Sequence, residues 1–323
     1  MYELIQVTDA CYYIQSPAKI GLYKVSQNEV YLIDSGNDKT AGKRIKNILD
    51  ANSWNLRAIL NTHSHADHIG GNRYLQSHTG CEILAPGIER CFTEHPLLEP
   101  SFLYGAFPFR ELRHKFLMAE GCVVYTLAET DLPDGLEIIR LPGHSWDMVG
   151  FKTKDEIVYL ADCLFGKETL EKYQISFLVD VEAYLSTLKA VQKMDARLFI
   201  PAHAEPTENI APLAQLNIDK VYETAEAIIG ICREPAAFDA ILQKLFTRYR
   251  LTMTFEQHAL AGSTVRSYLT WLKEQGQLQA VIEDNRLLWK ASRILCGRSD
   301  QAASGIPAGF SEMWFYRVVD REK

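Results

Sequence analysis

Residues 63–68 read His63-Ser64-His65-Ala66-Asp67-His68. Three of the chain's nine histidines and an aspartate fall within these six positions. The run follows a short apolar segment, Arg57 to Leu60, that reads as a strand, with Asn61-Thr62 leading out of it. On an extended loop, residues i and i+2 point the same way, so His63 and His65 can face one ion together. Asp67 and His68 then turn toward a neighbouring ion as a helix begins around Ile69-Gly70-Gly71. The two glycines there let backbone pack close to the site.

Two more histidines stand where apolar strands run into turns, in Leu141-Pro142-Gly143-His144 and in Phe199-Ile200-Pro201-Ala202-His203. Between them, Leu160-Ala161-Asp162 places an acid at the end of another strand. Ligands at the ends of several strands converge on one edge of a sheet. His78, His95, His114 and His258 have no such context and are read as non-ligands.

The surrounding chain alternates short β runs with turn signals: Tyr2 to Val7, Cys11 to Ile14, Gly21 to Val25 and Glu29 to Ile33. Ser26-Gln27-Asn28 fits a hairpin connection, and Asp34-Ser35-Gly36 a tight turn. Residues 38–52 read as an amphipathic helix with Ile45, Ile48 and Leu49 on one face. The stretch 86–133, dense in aromatics and prolines, breaks the rhythm and reads as a helical or irregular insertion. Its aromatics are expected to fill a satellite core, the alternative being a lid or a dimer surface. Strands return at Leu136 to Leu141, Met148 to Thr153 and Ile157 to Leu160. A helix over Val181 to Met194 and a strand over Leu198 to Ile200 follow. Two runs of strands, each followed by helices, predict two packed sheets flanked by helices.

Beyond about residue 215 the character changes. Helices are expected over 234–248, over 255–260 and, after Ala261-Gly262-Ser263, over 264–274. A hairpin around Glu283-Asp284-Asn285 follows. This is the element order of a winged helix. The expected division is a metal-binding domain over 1–215 carrying the insertion, a winged-helix-like domain over 216–291, and a tail over 292–323 of unclear structure.

The series His-x-His-x-Asp-His, Pro-Gly-His-Ser, Ala-Asp, Pro-Ala-His resembles the full ligand set of the metallo-β-lactamase superfamily in order and rough spacing, over about residues 1–210. The resemblance implies an α/β fold, a four-layer αββα sandwich with its site at one edge of the two sheets. It implies that His63, His65 and His144 bind a first metal, that Asp67, His68 and His203 bind a second, and that Asp162 bridges both. Asp34 matches a recurrent position that orients the ligand loop by hydrogen bonding. True lactamases of this fold carry a non-acidic residue where Asp162 stands. A bridging aspartate is similar instead to glyoxalase II, lactonases and metal-dependent nucleases. Cys163 is read as a small buried residue rather than a sulfur ligand.

Imidazole nitrogen and carboxylate oxygen suit zinc, two ions being expected, and also admit iron or manganese. Metal binding lowers the pKa of a shared water from about 15.7 to about 7, so a metal-bridging hydroxide is available as nucleophile at neutral pH. The expected activity is hydrolysis of an ester, thioester or lactone-type bond in a small molecule, with Asp67 orienting the hydroxide and passing a proton to the leaving group. Trp146, Phe165, Lys167 and Tyr173 flank ligand residues and are candidates for the substrate pocket. Two other readings share the ligand set. One is a phosphodiester hydrolase similar to β-lactamase-like endoribonucleases, which pair this core with a winged-helix tail. The other is an oxidoreductase similar to the mononuclear iron persulfide dioxygenases of this fold.

Bulk properties agree. A chain of 323 residues, 47% hydrophobic and 23% charged, suits one large domain and a smaller one. A net charge of −7 disfavours nucleic acid as the principal partner. Seven cysteines without a C-x-x-C pair suit a reducing compartment. The opening MYELIQVTDACYYI reads as a strand rather than a signal peptide, and no apolar run approaches a bilayer span. A cytoplasmic protein without a membrane partner is expected, with a homodimer as one option.

Overall fold

The computed structural model describes residues 2–128 and 132–292. Apart from Ser292, the expected tail over 292–323 lies outside the described residues.

In chain order the elements are β1 (Glu3–Gln6), β2 (Cys11–Gln15), β3 (Ile20–Lys24), β4 (Glu29–Ile33), α1 (Lys39–Ala51), β5 (Asn55–Leu60), α2 (Ala66–Ile69), α3 (Asn72–Thr79) and β6 (Glu82–Ala85). Then come α4 (Glu89–Glu94), α5 (Leu98–Tyr104), a 3-10 turn (Arg110–Leu112), β7 (Tyr125–Thr126), β8 (Leu136–Arg140), β9 (Val149–Thr153) and β10 (Ile157–Phe165). The remainder is α6 (Lys167–Tyr173), α7 (Val181–Val191), β11 (Leu198–His203), α8 (Ala211–Ile231), β12 (Ala236–Ala237), α9 (Phe238–Tyr249), α10 (Phe255–Glu274), β13 (Leu278–Glu283) and β14 (Arg286–Ala291).

The first seven strands form one sheet in sequence order, antiparallel from β1 to β4 and parallel from β4 to β7. A second sheet has the order β11-β10-β9-β8. Side-chain alternation along the strands builds the layers. Cys11, Tyr23, Ile33, Leu60, Phe151, Ile157 and Tyr159 fill the space between the two sheets. Tyr12, Ile14, Leu22, Val30 and Leu32 point the other way, against Ile45 and Leu49 of α1 and Leu75 of α3. Val158, Leu160 and Leu164 of β10 face α7 and α8. The result is helix, sheet, sheet, helix, the four-layer sandwich expected.

Beyond α8, the strands β12, β14 and β13 form a small antiparallel sheet beside α9 and α10. One apolar cluster runs without a break from Leu141 through α7 and α8 to Leu269, Leu272 and Leu278. The turn expected at 261–263 is absent, because α10 is a single helix through Gly262 and Ser263. A glycine costs a helix about 1 kcal/mol relative to alanine. Burial of Ala261, Val265, Leu269 and Leu272 along one face outweighs it. Where Gly262 lies, the Phe238 ring and Leu242 of α9 approach closely. Strand β10 likewise continues to Phe165 instead of ending at Leu160. It does so through a shift in register around Ala161, whose φ is +49°. Such irregularities re-aim side chains beside functional sites, and the next residue is Asp162.

The insertion supplies α4, α5, the 3-10 turn and β7, which extends the first sheet beside β6. Its satellite core is built from Leu103, Leu112 and Leu117 with Ala259. The aromatics expected there instead reach the surface at Phe102, Tyr104, Phe107, Phe109 and Phe116.

Candidate metal centre

Each of the seven predicted donors is delivered by the end or the irregularity of an element. His63 and His65 follow β5, Asp67 and His68 lie on α2, His144 follows β8, Asp162 follows the kink in β10, and His203 ends β11. Helix α2 sits hard against the turn after β4. A side chain on Gly70 would lie 2.3 Å from the Asn37 carbonyl carbon, and one on Gly71 2.3 Å from the Ser35 oxygen. Glycine at both positions is therefore a requirement of the close approach.

The donors fall into two groups, His63, His65 and His144 in one, and Asp67, His68, Asp162 and His203 in the other. Within each, one ligand atom per residue lies within 4.8 Å of all the rest. His65 Nδ1 is 3.0 Å from both His63 Nε2 and His144 Nε2. Asp162 Oδ1 is 3.0 Å from His68 Nε2, while its Oδ2 is 3.2 Å from His203 Nε2 and 3.6 Å from His144 Nε2, so this carboxylate touches both groups. Asp67 Oδ2 is 3.2 Å from His203 Nε2.

The ring atoms turned away from the cluster have partners of their own. His68 Nδ1 lies 2.8 Å from Asp34 Oδ2, and Asp34 also accepts from the Thr62 N–H and hydroxyl, both at 2.8 Å. His63 Nδ1 is 2.9 Å from Thr62 Oγ1, and His144 Nδ1 is 3.0 Å from the Phe177 carbonyl oxygen. His65 Nε2 faces Glu99 at 3.7 Å. Partners of this kind orient imidazoles where these bind a metal.

The two groups differ electrostatically. Burial, then the charge of His65, pushes His144 down to about 3. Burial holds His65 at about 4 and lowers His63 well below its ordinary value. These three rings are neutral and ready to donate lone pairs. Burial also opposes charge on His68 and His203, but the carboxylates overcome it. Asp162, Asp67 and Asp34 raise His68 well above the ordinary value, and Asp162 with Asp67 raises His203 to about 10. Desolvation would raise Asp162 and Asp67, but the positive charges of His203 and His68 hold both below the usual carboxylate range. Burial, then the negative charge of Glu89, lifts Glu99 to about 8.

His68 Nε2 and Asp162 Oδ1 are buried atoms without a hydrogen-bond partner. Two donors left so, facing one another amid five more nitrogen and oxygen ligands, fit a divalent cation. Cys163 is fully buried in the apolar cluster, its thiol pushed up by burial, and it belongs to neither donor group. Neither do His78, His95, His114 and His258.

Of the pocket candidates, Phe165 lies against the site, its ring 6.0 Å from that of His203 and 5.7 Å from that of His144. Trp146 stands half-exposed at the rim against Phe102. It also lines a groove of about 530 Å3 with Phe102, Val179, Arg266 and Trp271. Lys167 reaches Glu171, and Lys172 covers Tyr173; among the described residues neither candidate forms a hydrogen bond, ion pair or ring contact with a donor. The sequence reading missed Phe177, whose ring packs on His65 and His144. Helix α10 holds that segment: Thr264 accepts from the Leu178 N–H, and Ser267 donates to the Val179 carbonyl.

Gly143 carries a checkable consequence. Its φ is +122°, and a Cβ there would lie 2.3 Å from the Tyr184 nitrogen. Gly143→Ala should cost about 2 kcal/mol or more of stability and displace His144. Denaturant midpoints and metal content measure the two effects.

The profile of the Metallo-beta-lactamase superfamily matches residues 15–203. Among curated proteins, the chain is 24% identical over 193 residues to an atrochrysone carboxyl ACP thioesterase of Aspergillus fumigatus, covering 59% of this chain and 52% of that protein. It is 37% identical over 73 residues to a hydroxyacylglutathione hydrolase of Methylococcus capsulatus, covering 20% and 28%. The chain thus spans about half, or less, of the length of these relatives. Among solved structures, a beta-lactamase domain protein from Burkholderia ambifaria superposes with a TM-score of 0.69 at 16% identity, covering 90% of this chain and 94% of that one. A metallo-beta-lactamase family protein from Thermus thermophilus gives 0.65 at 15% identity, covering 90% and 98%. The matched range takes in more than half of the sequence and all seven donors, and the chain belongs to the metallo-beta-lactamase superfamily.

Proposed function

We propose that this chain is a two-metal hydrolase of small-molecule esters, thioesters or lactones, with thioesters the class to test first. The observation that carries the reading is the sharing of Asp162 between two donor groups, with His68 Nε2 and Asp162 Oδ1 buried and unbonded at 3.0 Å. His63, His65 and His144 would hold one ion, and Asp67, His68 and His203 a second, with Asp162 reaching both. Zinc suits this donor set, and iron or manganese can use the same atoms. Bound there, the ions supply Lewis acidity and a water acidic enough to attack near neutral pH.

The chain's own groups do the rest. Asp67 is the donor most open to solvent, its side chain 43% exposed, which suits it to orient the attacking water and pass a proton to a leaving group. Asp34 and Thr62 fix His68 and His63. Phe165 and Phe177 pack on the histidine rings and exclude water from the protein side. Trp146 and Phe102 offer an apolar rim for the substrate. The named activities of the relatives, a thioesterase and a hydroxyacylglutathione hydrolase, favour thioesters among the three bonds. We assign the metal site to a domain over 1–215. The elements β12, α9, α10, β13 and β14 are read as a winged-helix-like unit within residues 216–291. Among the described residues no helix is long and apolar enough to cross a membrane.

The test is a panel of acyl-thioesters, lactones and phosphodiesters offered to metal-loaded protein, with His65→Ala alongside. Thioester hydrolysis that falls by about 10³-fold or more in the variant is expected. Cleavage of phosphodiesters alone, or oxygen uptake with a persulfide on one iron per chain, would overturn the reading.

A further inference from the structure

We propose that Glu89 is a positioning residue that sets the spacing of the three-histidine metal group by tying its two loops to one carboxylate. The role rests on the reading of His63, His65 and His144 as ligands. Glu89 opens α4, in the insertion, and is 1% exposed. Its Oε2 accepts from the Ser64 N–H at 3.0 Å and the Ser64 hydroxyl at 2.6 Å. Its Oε1 accepts from the Ser145 hydroxyl at 2.6 Å and the Asp147 N–H at 3.1 Å. Ser64 stands between His63 and His65, and Ser145 follows His144. One buried carboxylate therefore grips both loops that deliver this group. The grip is returned, because Asp147 Oδ2 accepts from the Ile88 N–H at 2.8 Å.

All four partners of Glu89 are donors, which suits a group that only accepts. Among the described residues no lysine or arginine forms an ion pair with it. The hydrogen bonds alone must offset its desolvation, so the loops and the carboxylate hold one another in place. The second donor group hangs on different supports. Asp34 steadies His68, and the adjacent strands β10 and β11 carry Asp162 and His203. Glu89 touches none of those residues. Its influence should fall on one metal site and spare the other.

Glu89→Gln is an informative variant because of the two backbone N–H groups. Serine hydroxyls can rotate to accept from an amide, but the Ser64 and Asp147 N–H groups cannot turn away. Whichever way the glutamine amide is placed, its NH2 meets one of them, and one loop is released. Ser145→Ala is the milder second variant: it removes one donor from Oε1, keeps Glu89, and disturbs only the His144 loop.

The experiment is chelator competition on wild type, Glu89→Gln and Ser145→Ala loaded with Co(II), following the visible absorption of each site, with thermal midpoints in parallel. In wild type two affinities are expected. In Glu89→Gln one weakens about 10- to 100-fold with a changed absorption band, while the other stays within about twofold. Ser145→Ala shifts the same site in the same direction by less. If Glu89→Gln does not fold, the Ser145→Ala shift decides. Unchanged affinities, or an equal loss at both sites that follows the thermal midpoint, would overturn the role. A wild-type protein that binds no cobalt would overturn the metal reading itself, and Glu89's role with it.

Discussion

Asp162→Ala is expected to lower hydrolysis by about 10³-fold or more and to leave the protein with at most one tightly held ion. The Asp162 carboxylate reaches both groups. Asp162 Oδ2 is 3.2 Å from His203 and 3.6 Å from His144, and Oδ1 is 3.0 Å from His68. The residue is 4% exposed, and a water in its place would bring no charge to either group. The same charge is the largest influence sustaining protonation of His68 and His203 against burial. Without it, His68 and His203 face each other with Asp67 and Asp34 as the remaining carboxylates beside them. Asp162→Asn keeps the volume and removes the charge, and so separates packing from electrostatics. It should resemble Asp162→Ala in metal content and wild type in thermal midpoint. Elemental analysis together with kcat/KM provides the check. Two ions retained with a rate within tenfold of wild type would rule out the shared role.

Asp34→Ala should be the most damaging change outside the donors, costing about 3 kcal/mol or more and loosening the second metal group. Its carboxylate is buried and serves the Thr62 N–H, the Thr62 hydroxyl and His68 Nδ1 at once. Alanine leaves all three without that partner. Asp34 also has φ +66°, a conformation that aspartate and asparagine tolerate better than alanine. Asp34→Asn should therefore keep the backbone and one or two of the bonds, and recover most of the stability but less of the metal affinity. Urea midpoints and metal titration on the two variants separate the contributions. Equal behaviour of alanine and asparagine would show that neither the backbone conformation nor the hydrogen bonds matter there.

The seven residues that the structure brings together were legible because each stands at a place the local sequence marks. A β run gives way to polar residues after Leu60, before His63, and β11 ends on His203 itself. Asp34 was legible for the same reason, through the Asp-Ser-Gly turn. The supports were not legible. Glu89, Glu99 and Phe177 come from segments without periodicity, and their importance arises only when α4, α5 and the chain after α6 fold over the donor loops. Glu89 and Glu99 are of a residue type that mostly stays at the surface, yet both are buried. The break expected at Gly262 failed because local propensity, worth about 1 kcal/mol, competes with the burial of a whole helical face. The end expected for β10 at Leu160 failed because a positive φ at Ala161 lets the strand kink and continue. Proximity in sequence was a poor guide to the pocket. Phe165 reached the site, while Lys167, two residues on, pairs with Glu171 on the surface of α6.

The count of metal ions bound by the wild-type chain tests the central claim most directly. Equilibrium dialysis against zinc, followed by elemental analysis of wild type and His65→Ala, gives that count. The two donor groups predict two ions per chain in wild type and one in the variant, the survivor being the ion held by Asp67, His68, Asp162 and His203. A wild-type chain that saturates at one ion, or that binds none, would contradict a shared two-metal centre.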